Sequence, residues 1–166
     1  ALRPDIASSG VQNLLPAGFL EKIKQQGLVV PWSSQLEVLS HPSVGGFLTH
    51  CGWNSILESL SLGVPMLAFP LLTDQCTNRK LIVEDWGVAM DLGGTSRIFQ
   101  NCRSELVGRE EIAKTLNKFM DEEEGRNLRL KIEPIRAVLK KVVMDGGASN
   151  KNLDLFVEVL RTRYDS

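Results

Sequence analysis

Short apolar runs alternate with helical stretches, and glycine or proline separates them. This alternation limits the folds open to the chain more than any other feature. Residues 44–49, 64–69 and 88–92 form apolar runs of strand length. Helical patterns at residues 54–62 and 77–86 lie between them, with Gly63 and Gly87 as stops. Strands that alternate with helices in this way predict a parallel sheet covered by helices on both faces, an α/β architecture of the Rossmann-like type. Residues 28–30 read as a further short strand ended by Pro31, preceded by a polar helix over residues 20–26.

Beyond the sheet region the pattern turns helical. Ile112, Leu116, Phe119 and Met120 fall on one face of a helix over residues 109–121. A second helix over residues 128–143 carries Pro134, which is expected to kink or split it. A last helix, with Ser149 as its cap, carries Leu153, Phe156, Val157 and Leu160. The acidic run 121–124 reads as a solvated helix end, and residues 95–103 as loop.

The run 44–49 ends in a turn with chemical content. His50, Gly52, Asn54 and Ser55 follow the strand and lead into the helix around Glu58. Strand, tight turn and helix N-terminus in that order offer an anion both free N–H groups and the positive end of the helix dipole. Gly52 permits close backbone approach, and His50 can donate to a phosphate oxygen. Ser55 and Glu58 also have the spacing of a capping box, and His50 read alone fits a structural histidine. Trp32 can stack on a flat ring or pack in a core. Asp74 and Gln75 can grip vicinal hydroxyls, or Asp74 can cap the helix that follows. In parallel sheets ligands bind beyond the carboxyl ends of the strands. His50 follows one such end and residues 70–74 another, so both can face one crevice.

Composition excludes several classes. The chain has 166 residues, 43% hydrophobic and 23% charged, with a net charge of -1. This suits one globular domain without the basic excess of a nucleic-acid or membrane-surface binder. Residues 1–10 hold no apolar signal-peptide core, and no run is long and apolar enough to span a bilayer. Cys51, Cys76 and Cys102 lack metal-ligand spacing and read as reduced thiols of a cytoplasmic protein. No metal or cofactor is expected. GxGxxG, GxxxxGK[ST] and GxSxG motifs are all missing.

Taken together, the 44 residues from Trp32 to Gln75 resemble the signature box of plant secondary-product UDP-glycosyltransferases. The matches are Trp32, Gln35, Leu39, His41, the run from Thr49 to Ser55, Glu58, Gly63-Val64-Pro65, Pro70 and Asp74-Gln75. The flanks resemble the family as well, so the likeness covers essentially the whole chain. Leu72, where Trp is frequent, and Pro134 depart from its pattern.

The resemblance implies the C-terminal, UDP-sugar-binding domain of a family 1 GT-B fold. Residues 32–75 would be the box, and residues 107–163 the C-terminal helices. It implies that Trp32 stacks on uracil, that the Ser33 backbone reads the uracil edge, and that Gln35 and Glu58 bind ribose. His50, Asn54 and Ser55 would hold the diphosphate in the turn at Gly52. Trp53 would contact sugar or phosphate, and Asp74 and Gln75 the sugar, with Gln75 pointing to UDP-glucose. The family transfers sugar with inversion to small lipophilic acceptors. Its catalytic His and Asp lie in an N-terminal acceptor domain, which is expected to lie outside these 166 residues. A non-catalytic nucleotide-sugar binding module is the alternative that the same donor set allows.

Overall fold

The computed structural model describes residues 15–30, 32–72, 74–93 and 107–164. The chain divides into two compact units, Ala1–Val38 and Leu39–Ser166. The first holds a short helix, α1 (Phe19–Ile23), entered through Gly18 and closed by N–H groups of Gln26 and Gly27 on the Ile23 carbonyl. The division falls within α2 (Gln35–Ser40). The strand expected over residues 28–30 is not formed. Leu28 is 84% exposed, and no described residue of this unit offers a strand to pair with.

The second unit is built on three short parallel strands in the order β1 (Phe47–Thr49), β2 (Met66–Ala68) and β3 (Ala89–Asp91). Phe47 pairs with Met66 and Thr49 with Ala68, while Ala68 also pairs with Asp91. Each strand occupies the middle or end of its predicted run and is shorter than it. Apolar runs report burial, whereas a ladder also needs a neighbour's backbone. α3 (Trp53–Leu62) joins β1 to β2 and closes at Gly63. α4 (Gln75–Lys80), continued by a π-helical turn over Leu81–Asp85, joins β2 to β3.

Alternation along the central strand feeds two cores. Met66 and Ala68 enter a cluster with Cys51, Ile56, Leu60, Ile82, Val88, Ala89 and Ile132. Leu67 enters another with Leu92, Phe119 and Leu128. Successive side chains of a strand point to opposite faces, so the sheet is covered on both sides as expected. Phe119 comes from α5 (Arg109–Phe119), and Leu128 and Ile132 from α6 (Glu122–Val143). Gly46 lies so close to the Phe119 ring that a Cβ there would sit 2.1 Å from Cε1. Burial of this kind contributes about 25 cal/mol per Å² of apolar surface.

Three expectations about the helices change. α6 begins at Glu122, because the Asp121 carboxylate accepts from the N–H groups of Glu123 and Glu124. The acidic run is therefore a helix start with its negative charges at the positive end of the dipole. Pro134 lies inside α6 without splitting it. Leu130 and Pro134 are both exposed, so water can take up the carbonyl that the missing N–H leaves. The last helix, α7 (Ala148–Tyr164), starts one residue before Ser149, which is helical and does not cap it. The loop expected over residues 95–103 lies outside the described residues.

Candidate functional site

The carboxyl ends of β1 and β2 are adjacent, and the segments that leave them are tied together. The Phe69 N–H donates to the Thr49 carbonyl at 2.9 Å. Past that point the chain turns sharply at Cys51, whose φ of 67° is left-handed. That conformation disfavours a residue with a Cβ by about 1–2 kcal/mol. Three features hold it. The Cys51 N–H donates to the buried Thr49 hydroxyl at 3.1 Å, and the side chain is fully buried. Its carbonyl accepts from Asn78 Nδ2 of α4 at 3.0 Å. Burial pushes the Cys51 thiol up to about 11, against an ordinary 9.0, so it stays protonated.

Gly52 is the N-cap of α3 and extended (φ -65°, ψ 138°), and as a glycine it brings no side-chain cap of its own. The first intrahelical bond runs from the Ile56 N–H to the Gly52 carbonyl. Helix geometry therefore gives the Trp53 and Asn54 N–H groups no intrahelical acceptor, the arrangement that suits an anion. Ser55 lies at the third helical position, so the Ser55–Glu58 capping box is not what starts α3. His50 is exposed, and its ring lies across Gly52. A Cβ at Gly52 would be 2.4 Å from Nε2, so glycine is what leaves room for the imidazole.

Trp53 is 42% exposed and tilts against Trp86, with ring centroids 6.5 Å apart. Trp86 itself packs on the core. Asn54 is exposed, whereas Ser55 and Glu58 are half-buried. Glu58 lines a crevice of about 300 Å³ with Leu57, Ser61, Leu139, Lys140 and Val143.

Asp74 occupies the N-cap position of α4, but its side chain makes no capping bond. Its Oδ2 accepts from Asn78 Nδ2 at 3.1 Å. Gln75 Oε1 accepts from the Leu71 and Leu72 N–H groups at 2.8 and 2.9 Å. The amide carbonyl thus pins the chain at Leu71 and Leu72 after β2. Behind these residues Arg79 joins Asp91 at the end of β3 and Glu84 of the π-helical turn. Burial pushes the guanidinium down, but its hydrogen bonds and charge pairing with Asp91 and Glu84 outweigh this and hold it protonated.

The second unit therefore brings together the turn at His50–Ser55 and the Asp74–Gln75 pair. Trp32, Ser33 and Gln35 belong to the first unit. Trp32 is 67% exposed, Ser33 half-buried and Gln35 exposed at the start of α2. Sequence reasoning missed Asn78, although its place four residues after Asp74 on a helix put both on one face. It had no means of finding the bond to Cys51, 27 residues away. Cys51 and Cys76 are free, and Cys102 lies outside the described residues. Among the described residues no group of three or more His, Cys, Asp or Glu stands together as for a metal ion. Nor is any helix there long and apolar enough to cross a membrane.

A parallel sheet covered on both faces, with an anion-ready turn at its carboxyl ends, defines a Rossmann-like α/β domain. A family model described as "UDP-glucoronosyl and UDP-glucosyl transferase" matches residues 17–106. UDP-glycosyltransferase 86A1 of Arabidopsis thaliana is 44% identical over 165 residues, 99% of this chain and 32% of the relative. Phytolacca americana UGT2, solved with UDP-2fluoro-glucose and pterostilbene, aligns with a TM-score of 0.74 and 40% identity. That alignment covers 87% of this chain and 32% of the other. Medicago truncatula UGT71G1, solved with UDP-glucose, aligns with a TM-score of 0.74 and 36% identity, over 89% and 31% of the two chains. The chain belongs to the UDP-glucoronosyl and UDP-glucosyl transferase family. It corresponds to the C-terminal region of the plant family 1 enzymes and has the α/β character of their GT-B fold. It spans about a third of the length of the curated relatives it matches.

Proposed function

We propose that this chain is the donor-binding domain of a plant UDP-glycosyltransferase. It holds UDP-glucose while the hydroxyl of a small lipophilic acceptor attacks the anomeric carbon with inversion. One observation carries this reading: the turn at His50–Ser55 and the Asp74–Gln75 pair meet at adjacent parallel strand ends, tied through Asn78. A helix N-terminus suits a diphosphate, and a carboxylate beside an amide suits the hydroxyls of a hexose. The sugar nucleotides in the solved relatives support it.

In this reading His50, Asn54, Ser55 and the N-terminus of α3 at Gly52 take the diphosphate. They stabilise the charge that grows on it as the glycosidic bond breaks. Trp53 borders the sugar or phosphate. Asp74 accepts from sugar hydroxyls, and the Gln75 amide donates to them. Trp32 stacks on uracil, the Ser33 backbone reads its edge, and Gln35 and Glu58 bind ribose. These last roles rest on the signature in the sequence. The donors named here act without a metal ion. The chain's two histidines are His41, whose Nδ1 accepts from the Ser43 N–H, and His50. Neither is assigned to the acceptor, so the general base comes from the acceptor domain. The free, buried thiols of Cys51 and Cys76 suit a reducing, cytoplasmic setting.

Titration calorimetry of the 166-residue chain with UDP and UDP-glucose tests the reading. Binding is expected, and Trp32→Ala should weaken UDP by about 1–3 kcal/mol, the usual value of a stacked base. Incubation with UDP-glucose and a model flavonol should give no glucoside. Absence of UDP binding overturns the donor reading, and transfer by the chain alone overturns the division of labour.

A further inference from the structure

We propose that Asn78 is a positioning residue that couples the phosphate turn to the sugar-binding carboxylate. The inference rests on the donor-site reading above and deepens it. The Asn78 amide has two N–H donors, and the structure spends both. One goes to the Cys51 carbonyl at 3.0 Å, inside the left-handed turn, and the other to Asp74 Oδ2 at 3.1 Å. The backbone N–H of Asn78 also donates to the Asp74 carbonyl at 2.9 Å, which places the side chain one turn beneath Asp74.

Each bond constrains a different limb. On the turn side, Cys51 directly precedes Gly52, so the orientation of its peptide sets where the first N–H groups of α3 point. The Cys51 N–H donates to the Thr49 hydroxyl, a local bond to a residue only two positions back at the end of β1. Asn78 supplies the long-range tie, from α4. On the sugar side, Asp74 is exposed, and the Asn78 amide donates to its Oδ2 and helps to orient it. A carboxylate is acceptor-only with about four lone-pair sites, so a bond that fixes its plane also fixes the directions from which hydroxyls can donate to it. One planar amide thus sets the distance and angle between the places where diphosphate and hexose bind.

The test compares wild type with Asn78→Asp and Asn78→Ser, measuring Kd for both UDP and UDP-glucose. Asn78→Asp keeps the shape and puts acceptors against the Cys51 carbonyl and Asp74. Asn78→Ser withdraws the donor by one bond, so both ties at 3.0 and 3.1 Å are lost without adding a charge. For Asn78→Asp, UDP should bind about tenfold more weakly, the usual result of losing one hydrogen bond. The ratio of UDP-glucose to UDP affinity should fall as well, because Asp74 loses its orientation. A purely structural role lowers the melting temperature and leaves that ratio unchanged. An unchanged ratio in both variants, with wild type binding both ligands, overturns the coupling. Wild type that binds neither ligand overturns the donor-site reading itself. If Asn78→Asp does not fold, Asn78→Ser carries the same comparison.

Discussion

Gly52→Ala separates the site from the scaffold. The backbone at Gly52 (φ -65°, ψ 138°) is open to any residue, so alanine brings no dihedral strain. The new methyl would lie 2.4 Å from His50 Nε2 and 3.0 Å from Cε1. Carbon contacts settle near 3.5–4.0 Å, so the overlap with the ring is about 1 Å. His50 is exposed and has solvent to rotate into, so the ring yields and the backbone stays. At an N-cap, alanine is worse than glycine by up to roughly 1 kcal/mol. Against that, replacing glycine restricts the unfolded chain, worth about 0.4–1 kcal/mol. The two nearly cancel, and the melting temperature should move by only a few degrees. The displaced imidazole no longer donates to the diphosphate, a charge-assisted bond worth about 1.5–3 kcal/mol. The Kd for UDP should therefore rise about ten- to a hundredfold. Calorimetry and thermal unfolding on the same preparation check both halves. UDP affinity equal to wild type, at unchanged stability, refutes the assignment of His50 to the phosphate.

Gly46→Ala is the contrasting case. Its Cβ would meet the Phe119 ring at 2.1–2.4 Å, and Phe119 is buried among Leu67, Leu92 and Leu128 without solvent to turn into. A loss of about 1–3 kcal/mol in a denaturant titration is expected, typical of overpacking a filled core. Alkaline pH should act through Cys51. Its folded thiol titrates at about 11, above its ordinary 9.0, so the folded state keeps a proton that the unfolded state gives up. This contribution is fully present below pH 9 and is lost as pH rises from about 9 to about 11. Melting curves across that window should fall more steeply for wild type than for Cys51→Ser.

The three strands and the helices between them were legible because burial in a parallel sheet writes itself as short apolar runs bounded by glycine and proline. Their lengths were not legible. Val44 and Val64 are apolar but lie outside the ladder, because pairing depends on a neighbouring backbone. Leu28–Val30 shows the same limit from the other side, since strand-forming residues without a partner do not make a strand. Asp121 was a missed local signal: an aspartate before an acidic first turn marks a helix start. Pro134 was read by its chemistry alone, and that chemistry yields where the broken hydrogen bond faces water.

For the site, the signature from Trp32 to Gln75 already held the residue types and spacing on which the proposed UDP-sugar site rests. Residue chemistry and family pattern are properties of the linear chain. Tertiary structure decided how they are held. Only the fold places Thr49 against Ala68, and so brings the two strand ends together. Only the fold reveals the left-handed Cys51, the space over Gly52 that His50 occupies, and Asn78 joining the turn to Asp74. Each depends on atoms distant in sequence meeting within hydrogen-bond or contact range, and no spacing in the chain encodes that distance.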